Sequence, residues 1–520
     1  KEKIGIEDIL IYPKLEKFYF RHVKCVESDY SREELWPSVD MDYFYDLLYR
    51  WCSDGCKKYA EELNINIFNL DPKYLNLGVT KKYMLKTYGC QGNLADSEKI
   101  AGMLELMGFE KTENELEADF VLFNTCAIRE NAEERVFGEL GRFQKFKKKK
   151  PDMIIGVCGC MPQEEKTIKT IKKKCPQVNI VFGTHNIASL PEYLYDVINE
   201  QKKVIEVLSV EGDIYENLPI VRDHPKKAWV NIMYGCDEFC TYCIVPYTRG
   251  KERSRLPEAI IAEVEQAAKD GYVEVTLLGQ NVNAYGKDFK DRKYTFADLL
   301  RDLNKTSIKR IRYTTSHPRD LDDDTIEAMA LGGNIMPHLH LPVQSGNNEV
   351  LKRMNRKYTR EEYLEKVNKL KKAVPGISIT TDIIVAFPGE TEEQFQDTLS
   401  LVKEVEYDGA FTFIYSPREG TPAATYPNQL TEDKKHGRLN RLNEVINEYS
   451  LKGHERFENQ IVEVLVEGPS KNNPNMLTGY TKHNMLVNFA NDENNSYKVG
   501  DLVNVRIVKA FSWHLLGEII

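Results

Sequence analysis

An α/β protein in three folded parts is predicted: an amino-terminal parallel α/β domain, a central partial (βα)6 barrel and a small carboxy-terminal β-barrel. Three observations lead there. The chain of 520 residues is too long for one core, and 42% hydrophobic side chains are enough for several. From residue 82 to about 455, short apolar runs alternate with helical periodicity, the pattern of parallel sheets built from βα units. Beyond about residue 456 the texture changes to short strands separated by turn residues.

Residues 1–80 form an aromatic-rich extension with short helices expected at 33–48 and 54–63 and no recognisable motif. In 81–210, strands are expected at 83–88, 119–124 and 153–157, with helices at 95–107 and 130–143. The polar stretch 211–227, with Pro219 and Pro225, reads as a linker. In 228–455, strands at 229–233, 274–278, 310–314, 338–341, 377–385 and 411–415 are separated by helical stretches such as 257–268 and 361–373. The loops that follow such strands build one mouth. In 456–520, strands at 462–467, 485–489 and 502–507 predict a small barrel of a type often used for oligonucleotides.

Composition narrows the function classes. There is no apolar run of membrane-spanning length, and charges fall within the first three residues, so a cytoplasmic protein without a membrane association is expected. Eleven cysteines, an odd number spread over a long chain, suit metal or redox chemistry better than a disulfide framework. A net charge of −9 confines any nucleic-acid contact to local patches.

The sharpest motif is Cys236-x3-Cys240-x2-Cys243, directly after the first barrel strand. Three thiolates in so short a loop can hold an iron–sulfur cube while its fourth iron stays open. Zinc is the plainer alternative, but it prefers four protein ligands in paired arms, and no partnering pair follows. Three further cysteines, Cys90, Cys126 and Cys160, each close a predicted strand of the first domain. If those strands are parallel neighbours, their carboxyl ends share the sheet edge where open α/β folds place ligands. Cys158 shares a face with Cys160, and Cys160 is preferred because Gly159-Cys160-Met161-Pro162 turns out of the strand. Cys25, Cys52, Cys56 and Cys175 lack such a setting and read as buried apolar thiols.

The three-cysteine loop opening a six-unit βα chain resembles the radical S-adenosylmethionine superfamily, in which the cofactor chelates the open iron. Tyr242 stands where that superfamily has an aromatic residue. With both trios in place, residues from about 82 to 520 are similar to the methylthiotransferases. The likeness is carried by Tyr88-Gly89-Cys90-Gln91-Gly92-Asn93 with Asp96-Ser97-Glu98, by Asn124-Thr125-Cys126, by the run from Ile244 to Arg255, and by the run from Leu278 to Gly286. Gly92 departs from the methionine expected there.

The resemblance implies that Cys236, Cys240 and Cys243 carry a [4Fe-4S] cluster that cleaves S-adenosylmethionine. It implies that Cys90, Cys126 and Cys160 hold an auxiliary [4Fe-4S] cluster presenting the sulfur to be methylated. Two S-adenosylmethionine molecules would be used per turnover, one as methyl donor and one as radical source. The implied reaction places a methylthio group on carbon 2 of N(6)-dimethylallyladenosine in a tRNA anticodon stem-loop, with an external electron donor and a sulfur source. Gly279-Gln280-Asn281-Val282-Asn283 fits that branch better than those acting on threonylcarbamoyladenosine or a ribosomal-protein aspartate. A non-catalytic RNA-binding protein with a structural metal is the reading from a different class.

Polar residues after barrel strands point to the mouth: Gln280-Asn281, Ser316-His317-Pro318, Gln344-Ser345-Gly346 and Pro388-Gly389-Glu390. By resemblance Tyr242, Gln280, Asn281, Ser316, Gln344 and Ser345 contact the cofactor, while His317 has a plain alternative as a structural histidine. The lysine runs 147–150 and 172–174 read as solvated helix ends. Arg249, Arg253 and Arg255, beside the chemistry, are expected to contact RNA or cofactor. The carboxy-terminal barrel resembles the TRAM RNA-binding module through Leu477-Thr478-Gly479-Tyr480-Thr481 and Leu486-Val487-Asn488-Phe489, with Phe511 and Trp513 expected to fill it.

Overall fold

The computed structural model describes residues 66–520 apart from 128–129, 209–211, 291, 472 and 492–496. The helices expected at 33–48 and 54–63, and Cys25, Cys52 and Cys56, lie outside the described residues.

The first domain is a parallel six-stranded sheet: β1 (Lys82–Tyr88), β2 (Glu110–Lys111), β3 (Phe120–Thr125), β4 (Ile154–Gly159), β5 (Ile180–Phe182) and β6 (Val204–Glu206), in the order β2-β1-β3-β4-β5-β6. Helices α1 (Gln91–Leu106), α2 (Glu130–Lys149), α3 (Glu165–Lys174) and α4 (Leu190–Asn199) connect the strands. Every residue of β3 and β4 is buried, as central parallel strands require. Alternate residues feed two cores: Phe120 and Leu122 face one layer, Val121 and Phe123 the other. The short strands β2, β5 and β6 carry too few residues to leave a periodic signal and were not anticipated. Helix α1 begins at Gln91, four residues earlier than expected, because the Asn93 side chain accepts the Cys90 N–H at 3.3 Å and caps it.

The expected linker is strapped down rather than free. Tyr215–Glu216 pairs in parallel with Asn66–Ile67, and Val221 N–H donates to the Glu98 carbonyl at 3.0 Å. A Cβ on Gly102 would lie 2.2 Å from the Pro219 carbonyl oxygen, so α1 packs directly on this segment.

The second domain has six strands in sequence order: β7 (Lys227–Asn231), β8 (Glu274–Leu278), β9 (Arg310–Tyr313), β10 (His338–His340), β11 (Ser378–Val385) and β12 (Gly409–Ile414). Strands β7 to β9 and β10 to β12 form two parallel triplets, joined among the described residues by the bridge from Ile311 of β9 to Ile335, just before β10. Among the described residues no pairing joins β7 to β12, so the barrel is open on one side. Helices α5 (Val245–Arg249), α6 (Pro257–Lys269), α7 (Phe296–Leu303), α8 (Asp323–Ala330), α9 (Asn348–Arg353), α10 (Arg360–Ala373), α11 (Glu392–Val405) and α12 (Glu432–Glu455) accompany the strands. Thr295, Thr359 and Thr391 close capping boxes at the starts of α7, α10 and α11. One apolar core between strands and helices spans both triplets, which makes them one domain.

The chain ends in a closed barrel of β13 (Ile461–Ser470), β14 (Asn473–Thr481), β15 (Leu486–Ala490), β16 (Leu502–Ala510) and β17 (Leu515–Ile519), ordered β13-β14-β15-β17-β16. It docks on the partial barrel through two buried arginines of β9. Arg310 donates to the carbonyls of Tyr480 at 2.9 Å and Glu463 at 3.1 Å, and Arg312 to those of Thr481 at 2.7 Å and Lys482 at 3.1 Å. Trp513 is exposed and Phe511 stacks on His514 at 4.6 Å, so neither fills the barrel. Its core is mainly aliphatic, with Phe457, Met485 and Phe489 and with Tyr497 packed against it.

Candidate active site

Strand register brings the amino-terminal cysteines together. Tyr88 lies opposite Thr125 and Thr125 opposite Gly159, so β1, β3 and β4 end level, and the chain leaves them at Cys90, Cys126 and Cys160. Sheet order reverses between β1 and β3, the point at which open parallel sheets offer a crevice. Gly159 has φ +98°, and a Cβ there would lie 2.3 Å from the Thr125 carbonyl oxygen. Only glycine lets the chain turn out of β4 at that point. Cys160 N–H then donates to that same carbonyl at 2.8 Å. Cys158 stays inside the core with Leu122, whereas Cys160 packs with Ala127 and Ile244.

The thiols of Cys90 and Cys126 are hydrogen-bonded, and the Arg249 guanidinium faces Cys90 and Cys160. The bond from Cys126, with Arg249 adding to it, holds the Cys90 thiol well below its ordinary range. Burial pushes Cys160 up despite Arg249. Cys175 is a buried thiol at the end of α3, packed with Ile171 and Val178, as expected of an apolar cysteine.

The second cysteine loop starts at Gly235, φ +75°, where a Cβ would lie 1.8 Å from the Lys251 carbonyl oxygen. The antiparallel pairing of Met233–Tyr234 with Arg253–Ser254 closes the base of the loop, and Cys236 N–H donates to the Gly250 carbonyl at 3.0 Å. Thr241 anchors the tip to α9 through its N–H to Met354 at 3.0 Å and its hydroxyl to Arg353 at 2.9 Å. Arg356 approaches the Cys240 sulfur at 3.5 Å. Burial pushes the Cys236 and Cys243 thiols up, Cys243 to about 12, and each feels the Cys240 sulfur beside it. Two buried thiols that resist ionising alone, beside the Cys240 sulfur, suit a positively charged iron core, which takes such groups as thiolates.

The two loops touch. Ile244, next to Cys243, packs on Cys160, and five residues later Arg249 forms a buried 2.9 Å ion pair with Asp96 of α1. Thr184 donates to the Thr248 carbonyl at 2.7 Å, and Lys99 to the Tyr234 hydroxyl at 2.6 Å. Gln91, after Cys90, meets Thr314 at the barrel mouth at 3.4 Å. The two cysteine-bearing segments are therefore in contact beside the barrel mouth.

Several polar side chains there have buried hydrogen-bonding atoms without a partner: Gln280 Oε1, Asn281 Oδ1, both amide atoms of Asn283, Ser316 Oγ and His317 Nε2. Orphaned polar atoms at a strand-end mouth fit a polar small molecule such as an amino acid or nucleoside. His317 accepts the Arg319 N–H through Nδ1, leaving Nε2 as a donor, and burial keeps the ring neutral. Glu238, His317 and Asp320 cluster closely enough to hold a cation, but Arg319 bridges Glu238 and Asp320 and already supplies the charge. Tyr242 is half-buried against the group of Phe387 and Tyr415. Gln344 is buried in the left-handed region, φ +69°, at the end of its strand loop.

Other expectations change. Ser345 is fully buried and shares its hydroxyl with Thr398 of α11 and the Asn347 N–H, so its polar atom is already engaged. Arg249 and Arg255 do not wait for RNA: both are buried, Arg249 on Asp96 and Arg255 on Glu216 and Glu263. Arg253 donates to the carbonyls of Gly212 and Arg249. All three tie the cysteine loop to its surroundings. Asn283, Glu238, Asp320 and Arg356 were missed; Asn283 alone carried a signal, as a polar residue just past a barrel strand.

Residues 82–183 match an uncharacterized protein family, UPF0004, residues 230–402 the radical SAM superfamily, and residues 455–520 the TRAM domain. A tRNA-2-methylthio-N(6)-dimethylallyladenosine synthase of Bacillus cytotoxicus is 55% identical over 500 residues, 96% of each chain. Proteins of the same name from Bacillus licheniformis and Anoxybacillus flavithermus are 56% identical, over 90% of this chain and 91% of theirs, and 57% identical, over 87% and 85%. Among solved structures, a radical S-adenosylmethionine methyltransferase from Kitasatospora setae, with a tryptophan substrate and a cofactor analogue, superimposes with TM-score 0.50. It shares 13% identity over 66% of this chain and 75% of that one, a likeness of fold.

Proposed function

The chain belongs to the family of tRNA-2-methylthio-N(6)-dimethylallyladenosine synthases, radical S-adenosylmethionine methylthiotransferases, and on that premise we propose that it methylthiolates carbon 2 of N(6)-dimethylallyladenosine in the anticodon stem-loop of tRNA. The observation that carries the reading is the direct contact of the two cysteine loops, through Ile244 on Cys160 and Arg249 on Asp96.

Cys236, Cys240 and Cys243 would hold one [4Fe-4S] cluster and Cys90, Cys126 and Cys160 a second. When bound, these clusters and two molecules of S-adenosylmethionine supply the radical, the sulfur and the methyl group, which no amino-acid side chain can provide for an aromatic C–H without an acidic proton. The residues of the chain bind, orient and exclude. Gln280, Asn281, Ser316 and Gln344, with Tyr242 beside the last cysteine, would meet the polar groups of the cofactor. Arg249 neutralises thiolate charge between the loops and fixes their spacing, on which the rate of a reaction among three partners depends steeply. The packed contact of Ile244 with Ala127 and Cys160 keeps water from between them. An electron donor and a sulfur source from outside the chain, and a cytoplasmic setting, complete the reading. Among the described residues no helix is long and apolar enough to cross a membrane.

Anaerobic reconstitution with iron and sulfide tests it. About eight irons per chain are expected, falling to about four when either trio is changed to alanine. Nucleoside mass spectrometry of tRNA from a deletion strain should lose the methylthio mass and retain the dimethylallyl precursor. Stoichiometric zinc without iron, or an unchanged tRNA profile, would sink the proposal.

A further inference from the structure

Strand β12 carries two phenylalanines that the core does not use. Its outer face is occupied: Ala410 is buried in the main core, Ile414 packs against it, and Thr412 donates to Asn443 of α12 at 2.6 Å. Side chains alternate along a strand, so Phe411 and Phe413 stand on the opposite face, lining the inside of the open barrel. They are 63% and 50% exposed. Leaving two adjacent phenyl rings in water forgoes the gain of burial, and such a patch within a concave site marks a place where apolar matter is received.

The surroundings narrow what it receives. In register, Phe411 lies opposite Asp382 and Phe413 opposite Ile384. Phe411 meets the His340 ring edge-on, centroids 5.9 Å apart, and His340 Nε2 lies 3.3 Å from the Asp382 carboxylate. Ile384 packs in the same group as Tyr242, one residue from Cys243. The wall thus runs from the cysteine loop along the edge strand to the barrel's open side, with an acid at its far end.

Given the substrate proposed above, we infer that Phe411 and Phe413 form the wall that takes the dimethylallyl group of the target base and selects for it. Five carbons without a charge match two phenyl faces. A threonylcarbamoyl group would instead press its carboxylate against apolar rings and the Asp382 carboxylate, burying an unpaired charge. Unmodified adenosine would leave the rings wet. Because each methylene in an apolar pocket commonly changes discrimination by about tenfold or more, removing both rings should be plainly measurable.

The test is equilibrium binding of the cluster-reconstituted enzyme to two anticodon stem-loop RNAs, one with N(6)-dimethylallyladenosine and one with plain adenosine at the same position. Wild type should favour the first by at least about tenfold. Phe411→Ala with Phe413→Ala should bring the ratio of the two dissociation constants close to one without changing affinity for the plain RNA. Phe413→Leu, which keeps an apolar side chain and disturbs the strand least, should retain part of the preference, and it serves alone if the double variant does not fold. A preference that survives both sets of substitutions, or a wild type that forms methylthio product yet binds both RNAs equally, overturns the inference. A wild type that forms no methylthio product on the dimethylallyl RNA overturns the proposed function itself, and the two failures are thereby told apart.

Discussion

Gly159 shows how much one position can govern. Its φ of +98° and the 2.3 Å approach of the Thr125 carbonyl oxygen to a would-be Cβ leave no L side chain an unstrained place. Gly159→Ala should therefore cost about 1–3 kcal/mol of stability. It should also displace Cys160, so that iron content after reconstitution falls from about eight to about four per chain while the other loop keeps its share. Melting curves together with an iron assay check both, and an unperturbed iron count would show that Cys160 tolerates the shift. The same residues were legible in part from the sequence: a glycine before a cysteine at a strand end suggested a turn. That Cys158 joins the main core of the first sheet while Cys160 is buried against Ala127 and Ile244 depended on where β4 stops, two residues beyond the expected end. Arginines near the cysteine loop were misjudged for a related reason, since a charge in sequence does not reveal the carboxylate that folding brings to it.

Helix α6 illustrates what an element contributes through one side chain. Glu263 receives Arg255 at 2.7 Å and Arg222 at 2.9 Å, joining the strap after the first domain to the base of the cysteine loop. Burial alone would raise its pKa, but the two guanidiniums hold it down to about 2, below its ordinary 4.5. A carboxyl depressed in this way contributes stability that is fully present above pH 4.5 and is lost as pH falls toward about 2. Glu263→Gln should accordingly lose about 3 kcal/mol near neutrality, with the gap to wild type closing below pH 4.5. Urea melts across that range measure it, and a gap independent of pH would assign the loss to packing instead. The helix itself was anticipated nearly to its ends from apolar periodicity, whereas strands of two or three residues, β2, β5 and β6, left no periodic trace.

The whole molecule is three barrels or sheets held in one arrangement by buried arginines: Arg249 between the first two domains, Arg310 and Arg312 between the second and third. Arg310 is 1% exposed and donates to two backbone carbonyls and the Glu463 carboxylate at 2.9 Å, so its Nη1 and Nη2 keep these partners only while the last barrel is docked. Arg310→Ala with Arg312→Ala should free that barrel. Limited proteolysis should then release it as a fragment from a chain whose iron content is unchanged, and resistance to cleavage equal to wild type would refute the role. From composition, period and cysteine spacing, the order of three α/β and β parts and the placing of Cys90, Cys126 and Cys160 at strand ends could be read, because local pattern and strand-end position are properties of neighbours along the chain. Register, the strapping of the segment from Tyr215 to Val221 and the contact of one cysteine loop with the other could not be. They depend on which distant groups meet, and the pairing of Arg249 with Asp96 across 153 positions is decided by packing energies that no local stretch contains.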